Sequence, residues 1–273
     1  MKGLPSDSRS LITTVIIGKD SNVVNDFSEE TQKLCEAFGL NYRVENRTLK
    51  NSSARYSIAI GWRWLIDDDS KTIVFHDSIL PKLRGFNPLV TSLINGDTEI
   101  GVSVIFGEAD FDTGDIINQR KTQVEYPIKI SDAIKRVGFL YAEALSQLLA
   151  EIRENKIKAQ PQNNLLATYS LWRDEDDYRI DWSKSSVFIK RFIDAVGYPY
   201  KGAYTLYQGK RVIIKDAVVA DDVIIENRTP GKVLFRKQGK FFIVCGVGLL
   251  CVDAFSDSDG NSFDIKTFRA RFQ

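Results

Sequence analysis

The hydrophobic pattern of this chain changes period part-way along, and that change limits the folds open to it. Up to Glu154, β-branched runs alternate with stretches whose apolar residues recur at helical spacing. Ile12–Gly18, Ser57–Gly61, Lys71–Phe75 and Ile100–Phe106 read as buried strands, and Tyr42–Val44 as a weaker one. Between them, Ser28-Glu29-Glu30 opens a helix that Gly39 closes, and Pro88–Ile94 forms another. Ser131 begins a long helix that brings Ile134, Val137, Tyr141, Ala144, Leu145, Leu148 and Ile152 onto one face. Such alternation predicts an α/β fold, a Rossmann-like and mostly parallel sheet with helices on its faces. After about Asp181 the texture differs. One helix, Ser185–Val196, precedes short runs at Ala203–Tyr207, Arg211–Ile214, Val223–Ile225, Lys232–Arg236, Phe241–Cys245 and Leu249–Ala254. Turn chemistry at Gln208-Gly209, Pro230-Gly231, Gln238-Gly239 and Asp259-Gly260 separates them, which suits a small antiparallel, OB-like barrel. The expected division is 1–155 as one domain, 156–175 as a polar linker and 176–273 as a smaller β-rich domain.

Composition narrows the function classes. The 273 residues carry a net charge of +1, so no global field draws the chain toward a polyanion, and no nucleic-acid partner is expected. Three cysteines without paired spacing imply neither a disulfide framework nor a zinc site. A single histidine leaves no His-rich metal chemistry. No apolar run reaches membrane-spanning length, and Met1-Lys2-Gly3-Leu4-Pro5 lacks a signal-peptide core. A cytoplasmic protein without membrane contact is the expectation.

That one histidine, His76, sits at the end of the Lys71–Phe75 run and enters the segment Asp77-Ser78-Ile79-Leu80-Pro81-Lys82-Leu83-Arg84-Gly85-Phe86-Asn87-Pro88. The carboxyl edge of an α/β sheet is where ligands bind, and imidazole is the side chain whose ordinary pKa lies nearest neutrality. The plainer alternative is a buried histidine ending a strand. Asp112 lies in the turn Asp112-Thr113-Gly114-Asp115 after the next main strand. Neighbouring strands can bring such a carboxylate to an imidazole, where it orients the ring and makes it a better proton acceptor. Its plainer alternative is a turn carboxylate bonding its own backbone.

The blocks His76-x-Ser78-x-Leu80-Pro81-x-x-Arg84-Gly85, Ile94-Asn95-Gly96-Asp97, Gly101-Val102-Ser103 and Asp112-Thr113-Gly114-Asp115-Ile116 resemble, in order and spacing, the folate-dependent formyltransferases. That family includes enzymes acting on glycinamide ribonucleotide, methionyl-tRNA and nucleotide-linked sugars. Tyr169–Arg173, Ile180–Ser183, Pro199–Ala203 and Phe268–Phe272 resemble the branch acting on nucleotide-linked amino sugars. The resemblance implies 10-formyltetrahydrofolate as formyl donor, no metal, and His76 and Asp112 as catalytic groups. By the same likeness Ser78, Pro81, Lys82, Arg84 and Gly85 meet the amine-donating substrate, with Lys82 or Arg84 available to a phosphate. Arg84 could equally brace its own loop. Trp62, Arg63, Trp64 and Leu65, with Thr113, Gly114 and Asp115, fall where the family holds folate, although core packing is an alternative for the tryptophans.

Two departures stand out. The family usually has asparagine two residues before the histidine, and here Val74 offers no donor. Asn87 or a water would have to substitute, because one lost oxyanion donor typically costs about 10²–10³ in rate. The stretch Met1–Arg9 also leads straight to what resembles the family's second strand, so the first strand-helix unit is expected to be missing. The leading expectation is N-formylation of a dTDP- or UDP-linked amino sugar for surface polysaccharide by a homodimer. Methionyl-tRNA formylation and a non-catalytic binding homologue stay open as alternatives.

Overall fold

The computed structural model describes residues 9–21, 23–45, 54–62, 66, 71–267 and 269–273. Their contacts gather into two compact units. One takes the described residues of 1–89 with 98–124 and 134–172, and the other takes 90–97, 125–133 and those of 173–273. Most of Met1–Arg9, whose brevity suggested a missing unit, lies outside the described residues.

In the first unit, β1 (Val15–Ile17) and β2 (Tyr42–Val44) pair in parallel around helix α1 (Ser28–Ala37). Helix α1 starts without the side-chain cap expected of Ser28. Phe27, in the left-handed region, takes the cap position, and Asp26 accepts from the Ser28 N–H at 2.9 Å. The strands β3 (Tyr56–Ile60) and β4 (Lys71–His76) are followed by the two-residue β5 (Arg84–Gly85), by helix α2 (Pro88–Asn95), which belongs from Val90 onward to the second unit, and by β6 (Glu99–Phe106) and β7 (Ile116–Gln123). The sheet order is β3-β4-β6-β7. Only β3–β4 pairs in parallel there; β4–β6 and β6–β7 are antiparallel, so the strands expected to run mostly parallel form a mixed sheet. The reason is local for β6–β7, because the 107–115 loop is too short for the crossover a parallel pair needs.

Strand alternation then sorts the side chains of β4. Ile73 and Phe75 pack with Val102 and Val104 beneath Leu140, Ala144 and Leu148 of the long helix α3 (Ile130–Glu154), and Phe75 stacks on Tyr141 at 5.5 Å. Emptying one such position, as in Phe75→Ala, costs about 3–5 kcal/mol. Val74 and His76 consequently present to the opposite face.

The stretch 156–172, expected to be part of a linker, is bound into the first unit. Gln160 and Ile116 exchange both backbone bonds at 2.8 and 2.9 Å, and β8 (Tyr169–Ser170) pairs in parallel with β5.

In the second unit, Ser185 caps α4 (Ser186–Ala195) by accepting from the Phe188 N–H. Two hairpins follow, β9 (Ala203–Tyr207) with β10 (Lys210–Ile214), and, after β11 (Val218–Ala220), β12 (Val233–Lys237) with β13 (Lys240–Val244). With β14 (Leu249–Val252) the larger sheet runs β11-β14-β13-β12. The terminal segment bridges to both sheets, Tyr207 to Phe272 and Lys232 to Arg271 beside β12, and the unit is β-rich as expected, built of two open sheets. Val223–Ile225 is not a strand. Asp222 accepts from Arg228, Val223 N–H and Gly248 N–H, and so holds this stretch as an irregular loop.

Candidate active site

His76 closes β4 and is 6% exposed. Its Nε2 lies 2.8 Å from the carbonyl oxygen of Leu83, which can only accept, so Nε2 carries a hydrogen. Its Nδ1 faces Asp112 Oδ2 at 3.4 Å. The same Oδ2 accepts the Gly85 N–H at 2.8 Å. The Asp112 carboxylate therefore serves a distant loop, where turn chemistry alone would have bonded it to its own backbone. Both ring nitrogens of His76 therefore face oxygen atoms, the Leu83 carbonyl on one side and the Asp112 carboxylate on the other.

Asp112 reaches this position with φ at 56°, and Leu83 and Asn87 in the facing loop sit at 60° and 49°. For Leu83 the left-handed region costs about 1–2 kcal/mol, while Asn and Asp adopt it more readily, so at Leu83 above all the surroundings must hold it. They do so through long-range bonds. Leu83 N–H donates to Thr168 Oγ1, Arg84 N–H to the Thr168 carbonyl, and Phe86 N–H to the Ser170 carbonyl. Gly85 has no alternative, since a Cβ there would lie 2.5 Å from the Ser170 oxygen. Deeper in the loop, Ser103 Oγ donates to the Ser78 carbonyl and accepts from Leu80 N–H and from the Gln119 amide.

The other expected residues divide by role. Ser78 is buried and its hydroxyl donates to the Lys82 carbonyl, so it staples the loop. Pro81 contributes its carbonyl to Thr168 N–H, while Lys82 is exposed. Arg84 was expected to be available to a phosphate. It is 2% exposed, and its guanidinium donates to Gln162 and Asn164, so it is the bracing arginine of the two readings. Thr113 bonds the Asp110 carbonyl, Asp115 is exposed, and a Cβ on Gly114 would meet the Phe106 oxygen at 1.8 Å. Half-buried Val74 lies on the His76 side of the sheet and has nothing to donate. Trp62 is half-buried; Arg63, Trp64 and Leu65 lie outside the described residues, as does Phe268.

On the other side of β4, Asp77 accepts from the Tyr141 hydroxyl. Burial pushes the Asp77 carboxyl above its ordinary range, with the Tyr141 bond and His76 opposing, and burial likewise holds the Tyr141 phenol well above its own. At the rim of the His76 site, Phe86 and Phe111 (44% and 68% exposed) form a tilted pair with ring centres 5.3 Å apart. Sequence reasoning missed Gln162, Asn164 and Thr168, and gave Ser170 only as part of the resemblance at Tyr169–Arg173. The available signal was a polar run lacking the Gly and Ser content of a flexible linker.

Residues 52–149 match the family description "Formyl transferase", and residues 173–273 match "Formyl transferase, C-terminal domain". The chain belongs to the formyl transferase family. It is 31% identical over 175 residues to the methionyl-tRNA formyltransferase of Fusobacterium nucleatum, a match covering 63% of this chain and 55% of that protein. A second methionyl-tRNA formyltransferase, from Carboxydothermus hydrogenoformans, is matched over 54% of its length, so the chain spans just over half of these curated relatives. Among solved structures, a sugar 3N-formyltransferase, WlaRD, solved with dTDP and 5-N-formyl-THF, superposes with a TM-score of 0.61 at 18% identity, covering 88% of this chain and 86% of that one. An N-formyltransferase from Helicobacter canadensis, in complex with folinic acid and dTDP-3-aminofucose, gives 0.60 at 16% identity, covering 92% and 100%. At such identities the likeness is one of fold. Among the described residues, no group of three or more His, Cys, Asp and Glu is placed to hold a metal ion, and no helix is long and apolar enough to cross a membrane.

Proposed function

We propose that this formyl transferase family member is a folate-dependent N-formyltransferase whose acceptor is the amine of a nucleotide-linked amino sugar. The observation that carries this reading is the convergence of His76, Asp112 and the Gly85 N–H at one buried point. The donor set fits the chemistry, because transfer of a formyl group between nitrogens needs proton handling and oxyanion stabilisation in a desolvated place. When bound, 10-formyltetrahydrofolate supplies the formyl group; Trp62 and the Thr113-Gly114-Asp115 segment are the described residues that would hold it. Asp112 holds Nδ1 and balances the charge of the ring. Nε2 is then the nitrogen that turns to the substrate, and it does so by exchanging its bond to the Leu83 carbonyl. Catalysis is assigned to residues 1–155, and residues 176–273 to substrate closure or to pairing with a second copy.

The sugar reading is preferred over a tRNA acceptor on charge. The chain's net charge is only +1, and several basic side chains of the second unit face carboxylates: Lys201 and Arg211 on Glu175, Arg228 on Asp222, Lys190 on Asp194, and Lys129 on Asp216. A phosphate-backbone surface needs unpaired ones. The test is incubation with 10-formyltetrahydrofolate and a panel of dTDP-, UDP- and GDP-linked amino sugars, with methionyl-tRNA alongside. Formylation of a sugar nucleotide is the expected result. Transfer to methionyl-tRNA alone would overturn the substrate assignment, and folate binding without any transfer would make the chain the non-catalytic homologue that Val74 suggests.

A further inference from the structure

We infer that Gln162 is a positioning residue for Asp112, an inference that rests on the catalytic reading of the His76–Asp112 pair. Its side-chain oxygen accepts from Arg84 twice, at 3.1 Å from Nε and 2.8 Å from Nη2. Its amide nitrogen donates to the carbonyls of Asp112 and Gly114, both at 2.8 Å. The orientation of the amide is forced, because a guanidinium offers only donors and carbonyls offer only acceptors. Every bond-forming site of the group facing these partners is used.

The consequence is a two-sided grip on the turn. Gly85 N–H holds the Asp112 carboxylate directly, while its neighbour Arg84 holds the Asp112 main chain through Gln162. Arg84 is itself fixed by Asn164 at 2.7 Å, and Gln160 is sewn to Ile116 just beyond the turn. Asp112 keeps its left-handed backbone between these holds, and its carboxylate stays aimed at His76 Nδ1. Gln162 touches neither ring nor carboxylate; it acts by fixing the chain that carries the carboxylate.

Glutamate is the discriminating replacement. Gln162→Glu keeps the volume and both Arg84 bonds, so the loop stays braced and the protein folds. It loses both donations and sets a charged oxygen against two carbonyls. The experiment compares wild type, Gln162→Glu and Gln162→Leu by kcat, KM for donor and acceptor, the pH profile of turnover, and the ¹⁵N signals of the imidazole. Those signals need no assignment, because the chain has one histidine. For Gln162→Glu we expect kcat to fall roughly 10²-fold, the order seen when a reacting group is misplaced by about an ångström. Both KM values should stay within about twofold of wild type, with a displaced pH profile and altered His76 signals; Gln162→Leu should add a lowered melting temperature. Wild-type kcat, pH profile and imidazole signals in Gln162→Glu would overturn the inference. A wild-type protein that transfers no formyl group would overturn the functional reading separately, and the imidazole comparison would still decide whether Gln162 positions Asp112.

Discussion

Left-handed, non-glycine residues occur in both units, and they are held there by different means. In the β-rich unit they sit at hairpin tips. Gln208 and Gln238 have φ of 52° and 50°, each is followed by a glycine in the same region, and a Cβ on Gly209 or Gly239 would meet nothing within 4 Å. That geometry is what a two-residue hairpin turn asks for, and the turn itself supplies it. Around His76 the same conformation at Leu83, Asn87 and Asp112 belongs to no two-residue turn; Asp112 sits in the nine-residue loop, 107–115, between β6 and β7. That conformation depends on partners far along the chain: Thr168, Ser170, Gln162 and Gly85. A local rule shapes the first set. The second is held by distant segments that meet there, so substitutions far along the chain should reach the turn that carries Asp112.

Substitutions should separate the two sets of residues. Asp112→Asn removes the charge facing Nδ1 while keeping shape, and should lower turnover about 10²–10⁴-fold, the usual range for a lost acid-base partner; near-wild-type kcat would remove Asp112 from the mechanism. Gly114→Ala forces a Cβ onto the Phe106 oxygen, so the Asp112 turn must shift, and turnover should drop roughly 10²-fold. Gly209→Ala is its counterpart at a hairpin tip. Only the left-handed backbone resists it, so it should cost about 1 kcal/mol in a denaturation curve and leave kcat alone. If the two alanines behave alike, the distinction between the regions is wrong.

The smallest expected effect lies on the far side of β4. Burial raises the Asp77 carboxyl, so the folded protein holds its proton over a range where the unfolded chain has released it. The folded state binds more protons there, and stability is lost as pH rises from the ordinary value of 3.8 through the raised one. Asp77→Asn can still accept from Tyr141 and carries no charge. Its melting temperature should match wild type at acidic pH and exceed it modestly at neutral pH; a gain that shrinks as pH rises would contradict this sign.

How much was legible follows the same line. The hairpins announced themselves because Gln-Gly pairs between alternating apolar runs need no distant partner. Helix α3 was legible from its apolar face, and His76 from the strand that delivers it. Antiparallel pairing of β4 with β6 was not, because β-branched runs look the same in either direction. Arg84 could not be assigned between phosphate and brace, since its acceptors, Gln162 and Asn164, lie about eighty residues away. The 156–172 stretch read as a linker for the same reason: its polar side chains are structural only when β5 and the Asp112 turn are in reach. The segment expected to hold folate, Arg63–Leu65, lies outside the described residues.

The most direct test of the central claim, that His76 and Asp112 run a formyl transfer, is single-turnover transfer by His76→Asn measured beside its folate affinity. Transfer should fall by roughly 10²-fold or more, while 10-formyltetrahydrofolate binds about as tightly as to wild type and the melting curve moves little. Retention of most of the wild-type rate by His76→Asn would contradict it.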